Sequence, residues 1–171
     1  VFQDSISEFT ASVEGGVCFR CIVGGKMGYA STEELSAQQA KSVVDKAADN
    51  AAVLEAEEEV FLGEGGQSYE QVALKNDPMP ATEALVSTAL ETQKKLYAAN
   101  PAVVDGCQTE TLAQRSETAI YNSKGLDLHY ENTVSGIVAV AVVSDGKEMS
   151  NDFQIKLGKL DEINTDAMVQ K

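Results

Sequence analysis

The hydrophobic pattern of the chain is strongest over residues 119–153, where three apolar stretches are separated by two short polar ones. Residues 122–125 (Asn-Ser-Lys-Gly) predict a tight turn, because Gly125 can adopt a positive φ angle. Residues 137–143 are apolar at every position, as is typical of a strand that is buried on both faces. The Asp-Gly pair at 145–146 indicates a second hairpin turn. We therefore expect a long central strand around which a sheet is organised.

The first part of the chain predicts three further strands. Residues 6–13 alternate between apolar and polar side chains, residues 17–23 are mainly apolar, and residues 26–30 follow a two-residue turn at 24–25. We expect these segments to form an antiparallel meander. Gly28, inside the third segment, indicates a bulge or the close approach of another backbone.

Two helices are predicted between these strands and the central stretch. Ser36, with Gln39 three residues later, fits a capping box at the start of an alanine-rich helix that reaches about residue 55. Its apolar positions at helical spacing are Val43, Val44, Ala47, Ala51 and Leu54. A second helix is expected over residues 81–99, and the Asn-Pro pair at 100–101 is expected to end it.

The segments that connect these elements are less regular. Residues 55–59 include four glutamates and indicate a solvated acidic face, and residues 67–80 predict a short strand or an irregular crossing. Residues 103–112 and 115–121 are expected to pair as a hairpin that leads into the central strands. Residues 148–157 are expected to form the last strand, at or near a sheet edge.

Strands joined by hairpins, then two helices, then further strands are typical of the α+β class. We expect an antiparallel or mixed, curved sheet of hairpin-connected strands, with the two main helices packed mostly on one face. The length of 171 residues fits a single domain over residues 1–171. The first residues already resemble part of a strand, and residues 161–168 resemble the start of a helix. We therefore expect both ends to be truncated, as in a piece of a longer protein.

Acidic residues outnumber basic ones by 27 to 13, which gives a formal net charge of −14 with the single histidine neutral. A nucleic-acid-binding surface needs clustered Lys and Arg, and an anionic membrane repels an acidic protein, so the charge argues against both partners. No apolar run approaches the roughly 20 residues of a membrane-spanning helix. The odd number of cysteines, three, fits a reducing compartment, and we expect a cytoplasmic location.

The residue types that carry most enzyme chemistry are scarce. His129 is the only histidine, and local sequence holds no serine or cysteine beside it. Cys18 and Cys21 form a CxxC motif, but residues three apart in a strand point to opposite faces and cannot readily share a metal ion. The third thiol, Cys107, lies in another segment. We therefore assign no catalytic, cofactor-binding or metal-ligating residue in this chain.

Two segments resemble a known family. The sequence GGVCFRCIVGGKMGYASTEEL, residues 15–35, resembles a strand–hairpin–helix signature of the TldD/PmbA family, historically called modulators of DNA gyrase and understood as peptidases. The sequence SETAIYNSKGLDLHYENTVSGIVAVAVVSDGKEM, residues 116–149, resembles a later part of the same N-terminal domain. The segments KMGYASTEEL (26–35) and EAEEEVFLGEG (55–65) look more similar to PmbA, also called TldE, than to TldD.

The resemblance implies a cytosolic metallopeptidase complex of two subunit types, in which the TldD-like subunit binds zinc through an HExxxH helix downstream of this domain. That motif is absent from this chain, so no metal or catalytic residue is carried over to it. The expected function is that of an N-terminal domain of a PmbA/TldE-like subunit. It would take part in an oligomer, with a TldD-like subunit or with itself, and would channel unfolded peptide.

Two alternatives to this function stay open. The chain could be the N-terminal part of a catalytic TldD-like zinc metallopeptidase whose active-site region lies outside these residues. It could also be a free-standing protein-binding or assembly domain that is unrelated to proteolysis. An HExxxH motif in the residues that follow would favour the first alternative.

Overall fold

A computed structural model describes residues 1–55, 60–66, 69–70, 72–74 and 76–170. Their elements are β1 (Val17–Val23), β2 (Lys26–Thr32), α1 (Ala37–Val53), α2 (Thr82–Ala99), β3 (Gln108–Tyr121), β4 (Asp127–Ser144), β5 (Met149–Leu157), a 3₁₀ turn (Leu160–Glu162) and α3 (Thr165–Val169). The strands form two sheets, β1–β2 and β3–β4–β5. Hairpin-linked strands with helices packed against them confirm the predicted α+β class.

The chain divides into two compact units. The three-stranded unit consists of Val1–Phe9, Ser68–Ile120 and Leu128–Lys171, and the hairpin unit consists of Thr10–Gln67 and Tyr121–Asp127. Two compact units can unfold together or separately. The single domain expected over residues 1–171 therefore stays a prediction.

The hairpin unit is built on the β1–β2 ribbon and α1. Residues 24–25, both glycine, connect the two strands with positive φ angles of 58° and 79°, as a two-residue turn of this kind requires. Phe19 lies opposite Ala30 in the strand register, and Cys21 lies opposite Gly28. This face of the ribbon packs against α1, so β1, β2 and the turn between them are confirmed.

Helix α1 approaches β2 closely at Gly28. A Cβ atom at Gly28 would overlap the carbonyl oxygen of Ala47 and would lie 2.7 Å from the amide nitrogen of Ala51. Ala47 and Ala51 are fully buried. The close backbone approach predicted at Gly28 is confirmed, and the small side chains of both elements make it possible.

The predicted start of α1 is confirmed, but its apolar face needs a correction. The Ser36 side chain accepts a hydrogen bond from the backbone N–H of Gln39 at 3.2 Å, while the Gln39 side chain donates to Glu34. Val44 and Leu54 are 43% and 41% exposed. They lie outside the core because Leu54 follows the last helical residue and a two-stranded ribbon covers only a narrow stripe of a helix.

The strand predicted over residues 6–13 is wrong. These residues belong to no strand of the described structure, and Phe9 and Val13 are 59% and 103% exposed. Alternation of apolar and polar side chains does not make a strand unless a partner supplies the ladder of hydrogen bonds. The predicted meander therefore reduces to the two-stranded ribbon.

In the three-stranded unit, β4 is the central strand and β5 lies at one edge, as predicted. The two strands pair antiparallel, with Ile137 opposite Lys156. Ile137 and Ala139 are 0% and 4% exposed and pack with Leu96 of α2 and Met168 of α3. The core of this unit therefore lies between one face of the sheet and the helices.

The apolar run of β4 predicted burial on both faces, and this is wrong for one of them. Side chains alternate across a strand, so Val138 and Val140 point away from Ile137 and Ala139. Val138 and Val140 are only half-buried. The helices pack against the Ile137 face, which leaves the opposite face partly open.

The hairpin predicted from residues 103–112 and 115–121 is also wrong, because β3 runs through both segments without a break. Residues 113–114 are Ala-Gln, and neither residue type favours a tight turn. The upstream segment pairs with the end of β4 instead. Val103 bridges Val143, and the N–H of Val104 donates to the carbonyl of Val142 at 2.9 Å.

The two turns that flank β4 are confirmed. Gly125 and Gly146 have φ angles of 79° and 88°. The Asn122 side chain accepts hydrogen bonds from the N–H groups of Lys124 and Leu126, at 2.9 and 3.0 Å. These bonds close the first turn and direct β3 into β4.

Helix α2 ends at Asn100 as predicted, and a buried glutamine ties it to distant segments. The Gln93 side chain is fully buried and donates to the carbonyl oxygens of Val1 and Cys107, at 3.0 and 2.9 Å. Its carbonyl oxygen accepts from the N–H of Asp4 at 2.9 Å. Every polar atom of this side chain therefore has a partner, as a buried amide requires.

The irregular segment between the two helices is described only in part. Of the predicted acidic patch, residues 56–59 lie outside the described residues, and Glu55 is exposed. The described positions between 69 and 80 contain no strand, so an irregular crossing is the better account of them.

Candidate functional site

His129 lies on β4, as predicted, and its side chain is 46% exposed. Its Nε2 atom is 2.9 Å from Oε1 of Glu117 on β3. A second pair on these strands joins Arg115 to Glu131 at 2.8 Å. Ion pairs at the surface are screened by solvent and contribute little to stability. These side chains form a charged surface on the sheet.

Hydrogen bonding lowers the pKa of the Glu131 carboxyl. The Asn76 side chain donates a hydrogen bond to it, and Arg115 adds a second hydrogen bond together with a positive charge. A carboxyl that is ionised near neutral pH has no proton to give. Glu131 is therefore unsuited to the role of general acid.

The three cysteines are free thiols, and each lies in a different environment. Cys18 is exposed opposite Ser31, whereas Cys21 lies opposite Gly28 on the face that packs against α1. Cys107 is buried just before β3, and its Sγ atom accepts the N–H of Val142 at 3.2 Å. A buried, hydrogen-bonded thiol is poorly placed to react, so Cys107 has the environment of a structural residue.

A metallopeptidase zinc ion takes three protein ligands and keeps one position for water. Across residues 1–55, 60–66, 69–70, 72–74 and 76–170, no three His, Cys, Asp or Glu side chains are grouped so that they could hold a metal ion. The one imidazole is paired with Glu117, and the CxxC thiols occupy opposite strand faces. The described residues therefore do not fit a zinc site, and we assign no zinc chemistry to them.

A groove of about 840 Å³ lies within the three-stranded unit. It is bounded by the C-terminal turn of α2, the last part of β4, the first part of β5, and α3. Ala139 and Ala141 of β4 form part of its lining, and they lie opposite Gln154 and Asp152 of β5. Alanine side chains leave the space between the helices and the sheet unfilled, and this space is the groove.

The edge of β5 borders this groove. Residues 150–154 all line it, and β4 is the one strand that pairs with β5 in the described sheet. The N–H of Phe153 donates to the carboxylate of Asp152 at 2.8 Å, so this N–H points to the open edge and not into the ladder with β4. Such an edge can accept an extended segment through main-chain hydrogen bonds.

An ion pair holds the opposite wall of the groove. The Nζ atom of Lys95 on α2 is 2.7 Å from Asp166 and 2.9 Å from the hydroxyl of Thr165, both at the start of α3. Met168 of α3 is 3% exposed and belongs to the core beside the groove. This wall is therefore anchored by packing as well as by charge.

The edge position of the last strand was predictable from the sequence, but the groove beside it was not. The relevant signal is the pair of alanines two residues apart on β4, which leaves room on one face of the sheet. That signal is hidden within an apolar run, and its meaning depends on where α3 packs. Among the described residues that line the groove, Lys95 is paired with Asp166, and Asp152 accepts a hydrogen bond from the N–H of Phe153.

The described helices include none that is long and apolar enough to cross a membrane, and the 18-residue α2 falls short on apolar character.

Comparisons with known proteins show which solved structures have this fold. No curated protein matches the chain in sequence. Three solved structures share the fold: a proposed modulator of a DNA gyrase from Thermotoga maritima MSB8 (TM-score 0.82, 16% identity), TldE from Thermococcus kodakarensis (0.82, 19%) and a proposed modulator of DNA gyrase from Bacteroides thetaiotaomicron VPI-5482 (0.75, 14%). They cover 99%, 99% and 92% of this chain, which spans 39%, 39% and 38% of theirs.

Two family profiles match the sequence. PmbA/TldA metallopeptidase domain 1 matches residues 1–51, and the PmbA/TldA metallopeptidase central domain matches residues 75–171. The central-domain match alone includes more than half of the chain. The chain therefore belongs to the PmbA/TldD family of metallopeptidases.

Proposed function

We propose that this chain is part of a PmbA/TldE-like subunit of a cytoplasmic metallopeptidase complex. It would contribute contacts that assemble the complex and would guide unfolded peptide, while another part of the complex would hold the zinc ion. The observation that carries the proposal is the open edge of β5 beside a groove with a small apolar lining. Family membership supports the link to proteolysis.

An extended peptide fits the β5 edge for a geometric reason. Residues on the edge present N–H and C=O groups at the spacing of a strand, and an unfolded peptide presents the complementary groups whatever its sequence. Side chains on one face of the added strand would enter the groove next to Ala139 and Ala141. The site would therefore accept many sequences, as a channel for unfolded chains needs.

Charge adds a preference to this site. Asp152 lies on the edge itself, and its carboxylate already accepts a hydrogen bond from the N–H of Phe153. The chain as a whole carries a formal charge of −14, so a basic peptide is attracted to it more than an acidic one. We expect basic, unfolded segments to bind best, and we expect their binding to weaken as salt concentration rises.

Zinc belongs to a different part of the proposed complex. A TldD-like subunit would supply the zinc ion and the hydrolytic groups, and the PmbA/TldE-like subunit would contribute assembly contacts and the peptide edge. Elemental analysis of the purified chain tests this division. One tightly held zinc ion per chain, together with chelator-sensitive cleavage of casein by the chain alone, would refute it.

Peptide binding at β5 is tested by removing one edge N–H group. Asn151 lies two residues before Phe153, so its N–H also points to the open edge. Asn151→Pro removes that donor without breaking the ladder to β4, and proline is tolerated at such edge positions. Asn151→Ala is the matched control, because it changes the side chain and keeps the N–H.

The readout is fluorescence anisotropy of a labelled, basic and unfolded casein fragment. We expect Asn151→Pro to weaken binding at least about fivefold, which corresponds to the loss of one main-chain hydrogen bond of about 1 kcal/mol. Asn151→Ala should bind as the unchanged chain does. Equal binding by all three proteins would exclude the β5 edge as the peptide site.

A further inference from the structure

Strand β5 carries a row of exposed apolar side chains. Phe153, Ile155 and Leu157 are 60%, 50% and 63% exposed. Residues two apart in a strand share one face, so these side chains form a continuous line about 14 Å long. We call this line the apolar row.

The apolar row belongs to the same residues that offer main-chain groups to the open edge. The N–H of Gly158, just beyond β5, donates to the carbonyl oxygen of Ser135 on β4 at 2.9 Å, whereas the N–H of Phe153 points away from the ladder. Main-chain groups of an antiparallel strand alternate between its two sides, so Ile155 and Leu157 present theirs to the edge as Phe153 does. A strand added at this edge therefore pairs with the residues of the apolar row.

The groove side of β5 has the opposite character. Its side chains are all polar, and they are Ser150, Asp152, Gln154 and Lys156. Asp152, for example, lies opposite Ala141, which lines the groove. From residue 152 to residue 157, polar and apolar side chains alternate strictly along β5. The strand therefore presents one apolar and one polar face to any strand that lies beside it.

We propose that the β5 edge selects extended peptides whose side chains alternate between apolar and polar. This inference rests on the proposed peptide site and defines the class of segment that the site binds. Every second side chain of such a peptide would lie beside the apolar row, and the side chains between them would lie beside Asp152 and Gln154. Neighbouring side chains on one face of a sheet stabilise strand pairing when their chemistry matches.

An alternating pattern is typical of strands with one buried and one solvated face. The preferred ligand is therefore a strand segment of an unfolded protein, because such a segment exposes its alternating side chains and main-chain groups together. Segments with the period of a helix, or with polar side chains throughout, match the two faces of β5 less well. Since the selection is by pattern, many sequences still qualify. The pattern is the same in both chain directions, so parallel and antiparallel pairing give the same preference.

The three side chains of the apolar row set the expected selectivity. Each matched cross-strand pair strengthens association by a factor of roughly 1.5 to 5, and three such pairs act together. We expect an alternating peptide to bind about tenfold more tightly than a peptide of the same composition that does not alternate.

Two labelled peptides of identical composition test this selectivity by fluorescence anisotropy. One alternates valine with lysine, serine and threonine, and the other places the same valines in adjacent pairs. Their net charges are equal, so the attraction between a basic peptide and this acidic chain is the same for both. The chain should bind the alternating peptide about tenfold more tightly.

A double variant shows whether the apolar row causes the preference. Phe153→Thr combined with Ile155→Thr removes most of the row, while threonine keeps the strand propensity and the edge N–H groups. This variant should bind the two peptides within about twofold of each other, and Ile155→Thr alone should give an intermediate preference. Phe61→Thr is the matched control, because Phe61 is 77% exposed in the hairpin unit, and it should keep the full preference. Circular dichroism spectra equal to that of the unchanged chain would establish that the variants are folded.

Two results would overturn the inference: equal affinity of the unchanged chain for both peptides, or a preference that survives in both threonine variants. Asn151→Pro distinguishes this failure from failure of the peptide site itself. If both peptides bind equally and Asn151→Pro weakens both, the β5 edge is a peptide site without the proposed selectivity. If neither peptide binds the chain, the peptide site and the inference both fail.

Discussion

Replacing Gly28 with alanine is expected to destabilise the hairpin unit, although the substitution adds only one methyl group. The φ angle of Gly28 is not positive, so the backbone itself would accept alanine. The obstacle is α1, which crosses β2 at this residue. The new Cβ atom would overlap the Ala47 carbonyl oxygen, and it would lie 2.7 and 2.8 Å from the nitrogen and Cβ atoms of Ala51.

The magnitude follows from two opposing terms. Ordinary van der Waals contact begins near 3.4 Å, so α1 must move away from the new Cβ atom by more than about one ångström at the Ala47 carbonyl oxygen. Overpacking of this kind costs about 1–3 kcal/mol, and here backbone atoms, which cannot rotate aside, form the obstacle. Replacing glycine by alanine also lowers the conformational entropy of the unfolded chain, which stabilises the folded protein by about 0.4–1 kcal/mol. We expect the free energy of unfolding to fall by about 2 kcal/mol in total.

Urea unfolding followed by circular dichroism, with hydrogen exchange of the α1 amides as a local probe, measures this loss. Gly15→Ala is the matched control, because a Cβ atom at Gly15 has no neighbour within 4 Å and its φ angle is not positive. Gly15→Ala should be neutral or slightly stabilising. If Gly28→Ala proved as stable as Gly15→Ala, the close approach of α1 to β2 would be refuted.

Three further predictions concern single side chains. Ser36→Ala should destabilise α1 by about 1 kcal/mol through loss of the helix cap, measured by thermal melting, and Ser36→Asp should retain the cap. Ile137→Ala should lower the free energy of unfolding by about 2–5 kcal/mol in urea, and half-buried Val140→Ala should lower it by less. The folded pKa of Glu131 is lowered, so its contribution to stability is present above its ordinary pKa and is lost as pH falls through the folded pKa. Asn76→Ala should move that pKa back up in an NMR titration, and an unchanged pKa would contradict the assignment of its cause.

Much of the fold was predictable because local chemistry determined it. Turn residues at 24–25, 122–125 and 145–146 fixed three hairpins, and the Ser36 cap fixed the start of α1. The failures share a different cause. Residues 6–13 have the alternation of a strand but belong to no strand of the described structure, and residues 103–104 pair with the end of β4 although no local signal indicates it. Pairing over long separations depends on tertiary structure, which propensity cannot supply.

The candidate site shows the same limit more strongly. The β5 edge was predictable from the order of hairpins, because the last strand of a meander has one neighbour. The groove beside it was not, because it requires α3 to pack against α2 through Lys95 and Asp166, residues that are 71 positions apart. The buried role of Gln93 was missed for the same reason. Nothing in its local sequence distinguishes it from an exposed helical glutamine.

The most informative failure is the apolar run of β4. A strand that is apolar at every position from 137 to 143 is suited to burial on both faces, yet the helices cover only the Ile137 face in the described structure. Sequence patterns that disagree with the observed environment are expected at functional surfaces, where a residue serves a partner and not the isolated fold. Phe153 and Ile155, which lie opposite Val140 and Val138, have the same excess of apolar surface. Two neighbouring strands thus show the same mismatch on the same face of the sheet.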